Sequence, residues 1–172
     1  RTFQRTSVFP GLTVLGNVLT GLHLRGQAWF LPILLGARAV SAEERRLADA
    51  AAEIIAFVGL AHRRDDAAGG LPYGEQRLLE LAIALAARPR LLLLDEPAAG
   101  MTGAERDRLI ALIRRIREQG VTVLLVEHDM SLVMNISDEV VVLSYGQKIA
   151  EDRPLAIQKN PEVVRVYLGE DS

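Results

Sequence analysis

The 172 residues are 49% apolar and 24% charged, with a formal net charge of −2 and no cysteine. That content can bury a core of one domain or one large domain fragment. It excludes a disulfide framework and a thiolate metal site, and no basic run stands apart from compensating carboxylates to mark a nucleic-acid partner.

Chain order begins with Arg1 in place of methionine and no cationic-plus-apolar leader, so the expectation is a cut inside a longer protein. Residues 13–24 place Val14, Leu15, Val18, Leu19 and Leu22 on one helix face. The greasiest stretch, 28–35, is interrupted by Pro32 and falls far short of the roughly 20 apolar residues of a membrane span, so the chain reads as soluble. The lone Trp29 reads as a packing anchor in a loop. Ser41 and Glu44 have capping-box spacing and predict a helix start there, with Gly59 as its stop.

From Arg90 the texture changes. Residues 91–94 form a short continuous apolar run, the pattern of a parallel strand buried on both faces. Residues 104–118 predict a helix ended by Gly120, and 121–126 a second buried strand. A short helix over 129–135 follows, then strands over 139–143 and 147–150 around a turn at Tyr145-Gly146. A strand, helix, strand order of these lengths calls for parallel pairing, with ligand chemistry at the strands' C-terminal ends.

Two acids, Asp95 and Glu96, end the first strand and precede Pro97. An aspartate there can hold Mg²⁺ against phosphate oxygens, and a glutamate one step on, pointing the other way, can orient or deprotonate water. Pro97 is expected to hold Glu96 extended. The plainer alternative is that both acids solvate a loop or cap the helix starting near Thr102. The second strand end carries Glu127, His128 and Asp129; His128 can contact a γ-phosphate or the attacking water, and Asp129 suits a helix cap. His23 and His62 read as ordinary surface or packing histidines. Leu71-Pro72-Tyr73-Gly74-Glu75-Gln76 precedes an apolar helix, where free amides can bind an anion, or where the chain merely enters the helix. No G-x-x-x-x-G-K-[ST] segment occurs in the 172 residues, so the chain alone is expected to bind nucleotide poorly.

Together these segments resemble the nucleotide-binding subunits of ABC transporters. LLLLDEP is similar to a Walker B strand with its catalytic glutamate, LPYGEQ to the ABC signature, VEHD to the switch-histidine segment and RTFQ to the Q-loop, in the family's order. The run Asp95-Glu96-Pro97-Ala98-Ala99-Gly100, Tyr73 in the signature, and IAE with NPEVVRVYLGE near the end resemble the branched-chain amino acid importer subgroup. The resemblance implies an α/β fold, a partial P-loop NTPase of ABC type with a mostly parallel sheet and a helical subdomain. Residues 1–11 would be the Q-loop and entry segment, 12–88 the helical subdomain ending in the signature helix, 89–152 the rest of the ATPase core and 153–172 a helical tail.

It implies ATP and Mg²⁺ as cofactors, with Gln4 and Asp95 at the metal and Glu96, His128 and Gln4 as catalytic residues. Tyr73, Gly74, Glu75 and Gln76 would contact nucleotide held by a second ATP-binding subunit, in a homo- or heterodimer. Transmembrane permease subunits would be the direct partners and an extracytoplasmic solute-binding protein an indirect one, with no nucleic acid involved. The place implied is peripheral, on the cytoplasmic face of the inner or plasma membrane. Pro72, where the signature usually has serine, supplies neither hydroxyl nor amide proton, and Thr102 stands where aspartate or asparagine is usual. Two alternatives remain: a catalytically inactive truncated fragment acting as a folding or interaction module, and a related non-transport ATPase.

Overall fold

A computed structural model describes the backbone of residues 8–23 and 37–167 and the side chains of 8–22 and 44–167. Gln4 and Trp29 lie outside the described residues. The chain forms two compact units, Arg1–Val126 and Glu127–Ser172.

The first unit begins with α1 (Val14–His23), α2 (Ala37–Phe57) and α3 (Tyr73–Ala86), with α1 packed on both of the others. Val14, Val18 and Leu22, one turn apart, are buried with Ala51 and Ile55 of α2 and Leu79, Ala82 and Ala86 of α3. Asn17, fully buried on α1, ties the preceding segment to the helix. Its Oδ1 accepts from Phe9 N–H at 2.7 Å, and its Nδ2 donates to the carbonyls of Phe9 at 3.0 Å and Thr13 at 2.9 Å. A buried amide with its partners made is stabilising, and its loss strands main-chain groups.

Helix α2 starts at Ala37, so Ser41 is an interior position and the expected capping box is not its N-terminus. Good helix formers at Ala37, Arg38 and Ala39 carry the helix past the Ser-x-x-Glu spacing. Its end is as expected. Gly59 has φ +87°, Gly59 N–H donates to Ala56 O and Leu60 N–H to Ile55 O, the paired bonds of a Schellman ending.

Strand β1 (Leu91–Asp95) and helix α4 (Gly103–Glu118) lead to β2 (Thr122–Val126), which pairs with β1 in parallel. Leu92 and Leu94 are buried, as are Leu109, Leu112, Ile113 and Ile116 of α4. The strands are not buried on both faces as their unbroken apolar runs suggested. Leu91, Leu93, Leu124 and Val126 are exposed, because among the described residues the layer covers one face of the pair only.

The second unit holds α5 (Met130–Ile136), the antiparallel pair β3 (Val140–Ser144) and β4 (Gln147–Asp152), α6 (Pro154–Ile157) and α7 (Pro161–Tyr167). Val140, Val142, Ile157 and Val163 form its buried core. Tyr145 and Gly146 turn the hairpin with two consecutive positive φ angles, 48° and 77°. Among the described residues no helix is long and apolar enough to cross a membrane.

Replacing Asn17 with alanine is expected to lower the unfolding free energy by about 1 kcal/mol, since it removes a fully buried amide that holds the part-buried main chain of Phe9. Urea unfolding of the 172-residue chain measures this; a change within experimental scatter would remove Asn17 from that role.

Candidate nucleotide site

Register fixes the acidic strand end. Leu91 pairs with Thr122 and the match continues without a shift to Asp95 and Val126, so the two strands end level. Glu96 N–H then donates to Val126 O at 2.9 Å, extending the ladder one residue beyond β1. The Glu96 carbonyl accepts from Ala99 N–H at 3.1 Å, so the chain turns at once. These two bonds hold Glu96 at φ +46°, in the left-handed region and not extended. The restriction before proline disfavours the right-handed helical basin, but it does not compel an extended residue when a turn must start there. Holding a non-glycine residue in that region costs about 1–3 kcal/mol, the kind of local strain that gathers at functional sites.

Asp95 and Glu96 are half-buried, and Pro97 and Ala98 behind them are buried. Asp95 follows the outward alternation of Leu91 and Leu93. Among the described residues no hydrogen bond or ion pair occupies its carboxylate. An acid at a parallel strand's C-terminal end, held by no protein cation, suits Mg²⁺, which needs one or two carboxylates and takes its other ligands from phosphate and water. A cleft of about 610 Å³ opens elsewhere, lined by Leu22, Phe57, Arg90 and Val121 among others. Arg90 and Val121 precede their strands, so that cleft lies away from the acidic strand end.

Tyr73, Gly74, Glu75 and Gln76 form the first turn of α3 behind Pro72, which gives no side-chain cap. Two of these side chains are turned inward to the protein's own groups. Gln76 Nε2 donates to Leu71 O at 2.9 Å, and the Glu75 carboxylate meets Arg63 Nε at 3.0 Å and His62 Nε2 at 3.3 Å. His62 is therefore a surface residue with a partner. Gly74 is buried and Tyr73 exposed, and the Gln76 amide already donates to Pro72 O at 3.0 Å, so the amides of the turn's first three residues are those without an intrahelical acceptor.

The loop from Pro97 to Thr102 packs on that turn. A side chain at Gly74 would collide with the Glu105 carboxylate, and one at Gly100, already at φ +74°, would sit 3.3 Å from Tyr73 Cε1. Thr102 closes a full capping box on α4. Its Oγ1 accepts from Glu105 N–H, and Thr102 N–H donates to Glu105 Oε2 at 2.8 Å. The departure at Thr102 thus keeps a capping role that aspartate or asparagine also fills. Donation from the Thr102 main chain and hydroxyl holds the Glu105 carboxyl below its ordinary range.

Arg77 and Glu80 had no sequence signal beyond their i, i+3 spacing, yet they pair at 2.8 Å with side chains 10% and 2% exposed. Burial works against the charged Arg77, but its hydrogen bonds to Glu80 and Tyr73 outweigh it and raise its proton affinity. His128 stands in the second unit, exposed, with Nδ1 3.9 Å from Glu127. Asp129 caps α5 as expected, accepting from Leu132 N–H at 3.1 Å. Among the described residues no group of three acids or histidines forms a metal cluster.

The family profile described as "ABC transporter" matches residues 1–99, and that described as "Branched-chain amino acid ATP-binding cassette transporter" matches 147–172. The high-affinity branched-chain amino acid transport ATP-binding protein BraF of Pseudomonas aeruginosa is 44% identical over 171 residues, covering 99% of this chain and 67% of the relative. The chain belongs to the ABC transporter ATP-binding family. LivG of Escherichia coli K12, of the same description as BraF, is 39% identical over the same shares. The lipopolysaccharide export system ATP-binding protein LptB of Escherichia coli K12 is 33% identical, covering 98% of this chain and 64% of the relative. The ADP conformation of MJ1267, an ATP-binding cassette of an ABC transporter, superposes with a TM-score of 0.78 at 29% identity, over 99% of this chain and 68% of that one. The fold is therefore the ABC cassette's P-loop NTPase α/β fold, and this ABC chain carries about two thirds of an ATP-binding, ATP-hydrolysing subunit.

Thr102→Ala is expected to cost about 1 kcal/mol of stability at neutral pH through loss of the cap. Because the folded Glu105 carboxyl is depressed, its share of the box is present above the unfolded value of about 4.3 and fades as pH falls through the lower folded value. Urea unfolding from pH 7 to pH 3 should show the wild-type and variant stabilities converging in acid. A constant gap would contradict the box.

Proposed function

We propose that this chain is the rear part of the ATPase subunit of a branched-chain amino acid importer. The observation that carries the ATPase chemistry is Glu96, held in a left-handed turn by Val126 directly beyond a level parallel strand end and next to Asp95. The importer assignment rests on the matched C-terminal profile and on BraF and LivG. The lower identity to LptB weighs against a lipopolysaccharide cargo.

In this reading Glu96 orients the attacking water and takes its proton as the bond from the γ-phosphorus to the bridging oxygen of ADP breaks. Asp95 and Gln4 would hold Mg²⁺, which supplies positive charge to the β- and γ-phosphate oxygens. His128 contacts the terminal phosphate. The first turn of α3 offers its amides to ATP held by a second ATP-binding subunit, identical or related, since the Glu75 and Gln76 side chains are engaged within the chain. Pro72 contributes no hydroxyl to that contact. Residues 12–88 form the helical subdomain that meets the membrane permease subunits, which receive solute from an extracytoplasmic binding protein. The subunit sits peripherally on the cytoplasmic face of the membrane.

A second reading, an interaction module without catalysis, applies to the 172 residues taken alone, because no phosphate-binding loop sequence occurs among them. Calorimetric titration separates the two. The 172-residue chain should show no micromolar affinity for MgATP, whereas a subunit of the relatives' full length carrying this sequence should bind and hydrolyse it. In that subunit Glu96→Gln should keep nucleotide binding and lower turnover by about a hundredfold or more. Unchanged turnover would remove Glu96 from its role.

A further inference from the structure

The Arg77–Glu80 pair stands outside every motif named so far, yet it is an almost fully enclosed charged pair, with side chains 10% and 2% exposed. Arg77 Nη1 donates to Glu80 Oε2 at 2.8 Å. The same guanidinium lies 5.1 Å over the Tyr73 ring and donates to its hydroxyl from Nε at 3.0 Å and Nη2 at 2.7 Å. The three residues lie one turn apart along α3, which puts them on one face. The arginine fork thus spends three donors on two partners and fixes the ring plane of Tyr73.

That ring lies close enough to Gly100 that a Cβ added there would meet its edge, 3.3 Å from Cε1. Gly100 lies in a loop whose neighbours are pinned, with Ala98 and Met101 buried, Ala99 N–H donating to Glu96 O and Met101 N–H to Ala98 O. On the other side of the loop's start, Arg77 and Glu80 line a narrow space together with Leu94 and Pro97, the residues flanking the acidic pair. A chain of contacts therefore runs from Glu80 through Arg77 and Tyr73 to Gly100, and from the loop back to the Glu96 carbonyl.

We infer that Arg77 is a positioning residue: anchored by Glu80, it presses Tyr73 onto Gly100 and so makes the loop that sets Glu96 follow the start of α3. Whatever engages the first turn of α3 is then transmitted within one chain to the water-orienting carboxylate. This rests on the reading of Glu96 given above. A pair that served stability alone would be replaceable by apolar residues of similar volume without local consequence.

The test has two arms. In the 172-residue chain, amide hydrogen exchange is compared among wild type, Tyr73→Phe, Arg77→Met and Arg77→Lys. Exchange at Ala99 and Met101 should rise about tenfold in Tyr73→Phe and Arg77→Met while the Leu109, Leu112 and Ile116 amides of α4 stay unchanged, and Arg77→Lys should recover part of the protection. A uniform rise through the unit, or no rise, overturns the assignment. In the full-length subunit, Tyr73→Phe and Arg77→Met should lower kcat. A kcat that holds in both while Glu96→Gln abolishes turnover overturns the positioning role alone. Turnover indifferent to Glu96 overturns the underlying reading of the site instead.

Discussion

The hydrogen bond from Glu96 N–H to Val126 O is the constraint on which the site geometry depends. It lengthens a level parallel pair by one residue and leaves the next step no room to continue as strand. Glu96 therefore enters a turn with its carbonyl already claimed by Ala99 and its φ in the left-handed region. The side chain's origin is fixed from both ends by main-chain bonds, and Asp95 is left on the opposite alternation with no cation beside it among the described residues. Two acids so arranged can divide metal and water between them, which is what phosphoryl transfer asks of a protein.

The loop beyond that turn is shaped by what it leans on. A side chain at Gly74 would push α3 against Glu105 of α4, and one at Gly100 would push the loop against Tyr73 of α3. Glu105 is itself committed to Thr102 in the capping box, so the same carboxylate that starts α4 also sets how near the α3 turn can come. The two departures from the family pattern differ in weight as a result. Thr102 keeps the cap, whereas Pro72 leaves the start of α3 with main-chain donors only.

Much of this was legible in the residues, for physical reasons. The unbroken leucines of 91–94, the glycines after α2 and α4, Asp129 before α5 and Tyr145-Gly146 between two strands are each a local demand that tertiary packing did not override. The start of α2 was not, because Ala37, Arg38 and Ala39 extend a helix through a spacing that elsewhere opens one. Nor was the left-handed Glu96, since a proline rule speaks of the right-handed basin and is silent about a ladder bond from another strand. One-sided burial of β1 and β2 was illegible because an apolar run states what a strand tolerates, not what covers it. Arg77, Glu80 and Asn17 belong to the same class: a polar residue on a helix gives no periodic signal, and only coordinates reveal which partner it meets.

In the proposed site Asp95 meets the metal that accompanies the triphosphate. The most direct measurement is ATP affinity of the full-length subunit with and without Mg²⁺, for wild type and Asp95→Asn. The substitution should abolish the Mg²⁺-dependent gain in affinity and leave metal-free binding as it was. An undiminished Mg²⁺-dependent gain in Asp95→Asn would contradict that placement.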